Sequence, residues 1–248
     1  MLSAKTNTNR LVKFVRMLIP DVVVIISGPL KGSRWCSKAG SQGFWLGTYE
    51  REKQEEFFAS VKRGNTVFDI GANTGLYTLL AAKALGDKGQ VYSFEPSQRN
   101  LEFLRRHITL NKIGNATVFP CAIAAKSGEA FFDQGENHAT GHLSKKGQIA
   151  VNVVTVDELV ETGQVIAPSI LKIDVEGAET SVLKGAITVL NQARPIVFLA
   201  IHGSKQHEEC CDILTSANYR IEVSNEQYNI QFGSLSFDYL AEILAYPN

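Results

Sequence analysis

The chain has 248 residues, 44% of them hydrophobic, enough to bury one large core, and an α/β domain of this size need not divide in two. Its 25 basic and 25 acidic residues cancel, which removes the electrostatic footprint of a phosphate-backbone binder and makes nucleic acid a poor first substrate. The four cysteines, Cys36, Cys121, Cys210 and Cys211, form neither a zinc knuckle nor a C-x-x-C redox pair and read as reduced thiols of a cytoplasmic protein.

Residues 1–50 lack long periodic segments and carry Gly28, Gly32, Gly40, Gly43 and Gly47, which predicts short strands and turns in an N-terminal cap ahead of a main domain over 51–248. Within it, the apolar stretch Val22 to Ile26 follows Pro20 and Asp21 and is too short to span a bilayer. No small-residue cleavage site follows to make a signal peptide. Trp35, Phe44 and Trp45 are expected at the surface near the cap, where they would allow a homodimer contact or a lid.

The run from Glu50 to Val61, with Phe57, Phe58 and Val61 on one side, predicts a helix ended by Gly64. An apolar strand from Thr66 to Ile70 and a helix from Gly75 to Leu85 then open a β-α-β unit. A strand from Gln90 to Glu95 follows, then a helix N-capped by Ser97 and running to Asn111, and a strand from Ala116 to Cys121. The polar stretch 133–147 reads as a surface loop, in which His138 and His142 would help form an acceptor lid. Beyond it come a strand from Val151 to Val154 and a short helix with the capping-box spacing Thr155, Glu158. The last predicted unit is a buried strand Ile170 to Val175, a helix Ala178 to Leu190 and a strand Pro195 to Ile201. This alternation predicts a Rossmann-like α/β fold: a mostly parallel twisted sheet with helices on both faces, and ligands at the carboxyl ends of the strands.

The turn after the first such strand, Asp69 to Tyr77, reads DIGANTGLY. Small residues there let the backbone approach a ligand, and the N-terminus of the next helix offers free N–H groups that would hold a carboxylate. A dinucleotide fingerprint would need G-x-G-x-x-G, whereas here Asn73 stands between Gly71 and Gly75. Asp69 suits an ammonium better than a phosphate. Glu95, at the end of the second strand in Phe94, Glu95, Pro96, is placed to bind two ribose hydroxyls. Together these point to S-adenosylmethionine.

With the strings LGTYE (46–50), DIGANTGLY (69–77), FEP (94–96) and LKIDVEGAE (171–179), the chain resembles the FkbM family of S-adenosylmethionine-dependent methyltransferases over most of 44–203. The resemblance implies a class I methyltransferase fold and methyl transfer, mostly to oxygen, with a hydroxyl of a small molecule, sugar or lipid as acceptor. It places Asp69, Gly71, Asn73, Gly75, Tyr77, Glu95, Pro96, Ala122 and Asp174 at the cofactor.

If the acceptor is an alcohol, a base must remove its proton while the chain aligns the oxygen. Asp174 and His202 are the first candidates, both at strand ends, with Glu176 the third. Lys172 shares a strand face with Asp174 and would keep it ionised. Glu179 is explained as a first-turn helix acid, and Glu50 equally so, although with Tyr49 it belongs to a segment that could fold over the cofactor. The family commonly has Glu-x-His where this chain has Ala200, Ile201, His202, so a role resting on that glutamate is absent or moved. His202 and Gly203 do not reproduce a hard-oxygen cation set, and no metal is required on this reading. Three other readings stand beside it: a NAD(P)-dependent oxidoreductase, a nucleic-acid methyltransferase, and a non-catalytic S-adenosylmethionine-binding protein.

Overall fold

The computed structural model describes residues 19–135, 141–143, 147–230 and 237–248, with the backbone alone over 224–230 and 237–240. Of the predicted cap, residues 1–18 lie outside the described residues, as does His138. The chain opens with an antiparallel hairpin, β1 (Val22–Val24) and β2 (Arg34–Cys36), then a short helix α1 (Gln42–Leu46) and α2 (Arg51–Ser60). Next come β3 (Thr66–Ile70), α3 (Leu76–Leu85), β4 (Gln90–Phe94), α4 (Gln98–Leu110) and β5 (Ala116–Phe119). The middle of the chain forms β6 (Ala122–Ile123), β7 (Gly128–Asp133), β8 (His142–Leu143), β9 (Ile149–Val154) and α5 (Val156–Glu161). Then follow β10 (Ile170–Ile173), α6 (Glu179–Lys184), α7 (Ile187–Gln192), β11 (Ile196–His202), α8 (Ser204–Ser216), β12 (Tyr219–Ile230) and β13 (Phe237–Pro247).

Seven strands make the main sheet in the order β12, β13, β11, β10, β3, β4, β5, parallel except where β13 runs antiparallel between β11 and β12. Alternate residues of the parallel strands feed two cores, because successive side chains point to opposite faces. Phe68, Ile70, Phe94, Leu171, Ile173 and Leu199 pack on one face against α6, α7 and α8. On the other face Val67, Val91, Ile170 and Phe198 meet α2 and α3 and the indole of Trp35. β6 to β9 form a second, four-stranded sheet beside the first.

Several expectations change here. Trp35 is fully buried, its Nε1 donating to the Ala39 carbonyl at 3.0 Å, and Phe44 and Trp45 are half-buried, so these rings do not form an exposed patch for a dimer. Trp35 stacks on His107 at 3.8 Å between centroids. His107 is buried as well, with Nδ1 bonded to the Thr74 carbonyl at 2.7 Å while Nε2 accepts from the Cys36 amide at 2.9 Å. Burial pushes this imidazole down to about 4, so it stays neutral, consistent with one nitrogen donating and the other accepting. The hairpin is thereby tied to the turn after β3.

The stretch 133–147 is not a plain surface loop: β7 pairs through Asp133 with His142 of β8, and Gly141, His142 and Leu143 line the main cavity. The helix predicted over 178–190 is two helices broken at Gly185, where a Cβ would lie 2.1 Å from the carbonyl oxygen of Ala124. At α5 the Thr155 hydroxyl does accept from the Glu158 amide at 3.0 Å, as the spacing predicts. Ser97 takes the N-cap position of α4, but its hydroxyl makes no capping bond. Among the described residues no helix is long and apolar enough to cross a membrane.

Candidate functional site

At the carboxyl ends of β3, β4 and β10 lies a cavity lined by the turns that follow these strands. Its floor is the turn after β3. Gly71 sits at φ +79°, and a Cβ there would lie 1.8 Å from the Asp174 carbonyl oxygen, so the β3 and β10 turns approach as closely as only glycine permits. Asn73 also takes a left-handed conformation, at φ 50°.

Within the turn the five amides from Gly71 to Gly75 are bonded to the protein itself. Gly71 and Ala72 N–H both donate to the Phe94 carbonyl at 3.0 Å, Asn73 N–H to Glu95 Oε2 at 2.8 Å, Thr74 N–H to Asn73 Oδ1 at 2.7 Å, and Gly75 N–H to the Ala72 carbonyl at 2.8 Å. A ligand here is met by a shaped, self-satisfied backbone and by carboxylates.

Glu95 is buried against that backbone. Besides Asn73 it takes the Ser97 amide at 2.8 Å on Oε1, with Asn100 Nδ2 at 3.5 Å. Burial outweighs these bonds and raises its carboxyl to about 7. Oε2 takes a single donor and keeps a second lone pair, so Glu95 can still accept a hydroxyl from the cavity it lines. Pro96 and Ala122 line the same wall.

Asp69 and Lys172 are register partners on β3 and β10 and point to the same face. Asp69 Oδ2 accepts from the Thr78 hydroxyl at 2.6 Å, and that hydroxyl lies 2.8 Å from Ser93 Oγ on β4. Burial lifts Asp69 to about 6, against the pull of Thr78 and Lys172. The ammonium of Lys172 lies 3.3 Å from Asp174 Oδ2 and 4.7 Å from the centre of the Tyr77 ring. Burial alone would push Asp174 up, but the charges of Lys172 and His202 hold it below the usual carboxylate range. Tyr77 in turn donates to Glu50 Oε2 at 3.4 Å, and Glu50 pairs with Lys53 at 3.1 Å, so α2 closes one side of the cavity.

The third group stands where β10 turns into α6. Glu176, at φ 52°, lines the cavity with Asp174, whereas His202 at the end of β11 does not line it and reaches it through Glu176, 3.5 Å from Nε2 to Oε2. A left-handed backbone at a residue with a Cβ costs roughly 1–2 kcal/mol and here turns that carboxylate inward. Burial raises Glu176 to about 7, with His202 opposing.

Glu179 is more than a helix acid: it is wholly buried, its Oε1 accepting from the Gly177 amide at 2.9 Å and from His202 Nδ1 at 2.8 Å. Burial would lower His202, but Glu179, Asp174 and Glu176 together raise it to about 9. Sequence reasoning left Glu179 as a helix acid, and its contact with His202, 23 residues away, has no local signal. One donor atom from each of Asp174, Glu176 and His202 lies within 4.8 Å of the others, the one such grouping of three among the described residues. Both ring nitrogens of His202 face carboxylates, Nε2 towards Glu176 and Nδ1 towards Glu179.

The fold is that of class I methyltransferases. The family model of the methyltransferase FkbM domain matches residues 69–221, and the chain belongs to that family. It is 28% identical over 164 residues, 64% of this chain, to the hexuronic acid methyltransferase AglP of Haloferax volcanii. The chain spans 65% of the length of that curated relative. Among solved structures it resembles the precorrin-6y C5,15-methyltransferase of Geobacter metallireducens, with a TM-score of 0.53 and 13% identity over 80% of this chain and 89% of that one. It also resembles Trm5b of Pyrococcus abyssi, with a TM-score of 0.51 and 15% identity over 87% and 53% of the two chains. At these identities the likeness is one of fold.

Proposed function

We propose that this protein is an S-adenosylmethionine-dependent methyltransferase that acts on a hydroxyl oxygen of a sugar-type small molecule. The observation that carries the reading is a single cavity that holds both the glycine turn with Glu95 and the carboxylates Asp174 and Glu176. The donor set fits the cofactor. Glu95 would take the ribose hydroxyls, Asp69 and the turn from Gly71 to Gly75 the amino-acid end, with Tyr77, Pro96, Ala122 and Asp174 closing around it. When bound, the cofactor supplies a sulfonium-activated methyl group.

The chain's own part is to place and deprotonate the acceptor. Glu176, raised to about 7, is matched to a proton transfer near neutral pH, where a base works best. It takes the hydroxyl proton, while Asp174, kept ionised by Lys172, aligns the acceptor by hydrogen bonding. The wall that carries Glu50, Asp174 and Glu176 offers several hydrogen-bond acceptors to the hydroxyls of a polyol. The hexuronic acid methyltransferase name of the relative supports a sugar-class acceptor.

The test is transfer of labelled methyl from S-adenosylmethionine to a panel of sugars, lipids and amines, with calorimetric titration of the cofactor and NAD as control. Cofactor binding, hydroxyl methylation, and loss of transfer but not of binding in Glu176→Gln are expected. Methylation of amines only, or heat with NAD and none with S-adenosylmethionine, would overturn the reading.

A further inference from the structure

The burial of Glu179 calls for a cause beyond its helix. A first-turn acid earns its dipole stabilisation of about 0.3–1 kcal/mol at the surface, and burying a carboxylate without a cation is costly. Yet Glu179 is fully buried, and its Oε2 has no partner among the described residues. The cationic group it touches is His202, through Oε1 at 2.8 Å. We propose that Glu179 is a positioning residue that fixes the ring of His202 so that Nε2 stands on Glu176 and holds that carboxylate at the cavity wall.

The two nitrogens of an imidazole diverge from one ring, so anchoring Nδ1 dictates the direction of Nε2. With Nδ1–H given to Glu179, Nε2 faces Glu176 Oε2 at 3.5 Å. Three elements clamp this arrangement. α6 carries Glu179, β11 ends in His202, and Gln206 of α8 donates to the Gly177 carbonyl at 3.0 Å, bracing the turn that carries Glu176. The charged groups facing the pair are Asp174 and the two glutamates, with His142 from β8 on the Glu176 side and Lys172 and Lys53 behind Asp174. The position paired with His202 on β13 is Leu240, which carries no charge. An imidazolium among three carboxylates would orient Glu176 and oppose the rise that burial imposes on it.

This inference rests on the reading of Glu176 as the base, but its test does not need the acceptor. Imidazole nitrogen NMR of the wild-type protein, with the His202 signals identified through His202→Asn, should show the ring charged at neutral pH and titrating near 9. Its neutral form should carry the proton on Nδ1. Glu179→Gln keeps the shape and an acceptor oxygen but removes the charge, and should lower the His202 titration by about one to two pH units. Cofactor affinity, measured by calorimetry, should stay unchanged.

An unmoved titration in Glu179→Gln overturns the proposal and leaves Glu179 a helix acid. If that variant does not fold, the wild-type spectrum decides, since a ring titrating below 7 with its proton on Nε2 overturns it as well. Failure of S-adenosylmethionine to bind the wild type would count against the proposed function alone, because the NMR result is independent of it.

Discussion

Cofactor affinity should depend on pH through Glu95. In the free protein burial raises this carboxyl to about 7, and only its ionised form accepts hydroxyl donors while keeping the N–H bonds from Asn73 and Ser97. Binding therefore strengthens as pH rises through about 7. At pH 6 roughly one molecule in ten carries the carboxylate, so the apparent Kd for S-adenosylmethionine should be about tenfold weaker than at pH 8, about 1.4 kcal/mol. Asp69, raised to about 6, should add to the loss at lower pH. Glu95→Gln is not conservative here. Its amide nitrogen must face either the Asn73 or the Ser97 N–H, two donors opposed, in place of a charge-assisted bond worth about 1.5–3 kcal/mol. At pH 8 this substitution should weaken binding by about tenfold to a hundredfold and flatten the pH dependence. Calorimetric titrations at pH 6, 7 and 8 at matched ionic strength, with melting curves to check folding, measure both effects. A wild-type Kd constant within about twofold between pH 6 and 8, with Glu95→Gln binding equally well, would show that the carboxylate does not take the ribose.

Three further outcomes are expected. Gly71→Ala places a methyl against the backbone of Asp174 at a positive φ, so cofactor binding should fall at least about tenfold by calorimetry; an unchanged Kd would mean that the turn does not form the floor of the cofactor site. His107→Phe keeps the stack on Trp35 but leaves the buried Cys36 amide without its acceptor, at about 1–3 kcal/mol, read as a melting point lower by several degrees. An unchanged melting point would show that the hairpin is not tied to the turn through this ring. Dialysis against EDTA should leave methyl transfer intact, and activity lost and then restored by magnesium or manganese would show that the Asp174, Glu176, His202 cluster holds a metal ion and overturn the expectation that none is required.

The parallel sheet was legible because strands buried on both faces read as short, mostly apolar runs, interrupted in Thr66 to Ile70 by Asp69 and in Ile170 to Ile173 by Lys172. The glycine turn, Glu95 and the pairing of Lys172 with Asp174 follow from local spacing, and they lie together in the structure. What could not be read are contacts between distant positions. Nothing local shows that Trp35 is buried under His107, or that Glu179 reaches His202, 23 residues away. The break at Gly185 has its cause in the backbone of Ala124, on a different element. β13 carried a usable signal, the alternation of Ala241, Ile243 and Ala245 toward one core, but its antiparallel insertion beside β11 is set by the sheet and not by the segment.

That insertion orders the birth of the molecule. β11, which ends in His202, has β13 along its outer edge from Val197 opposite Ala245 to His202 opposite Leu240. During synthesis the hairpin, the glycine turn and Glu95 all leave the ribosome long before residue 240, so the half of the cavity proposed for the cofactor can fold first. Over that interval β11 carries a row of unpaired N–H and C=O groups, the exposed edge through which nascent chains associate wrongly. Until residues 237–247 arrive to cover it, the strand that carries His202 is an open edge.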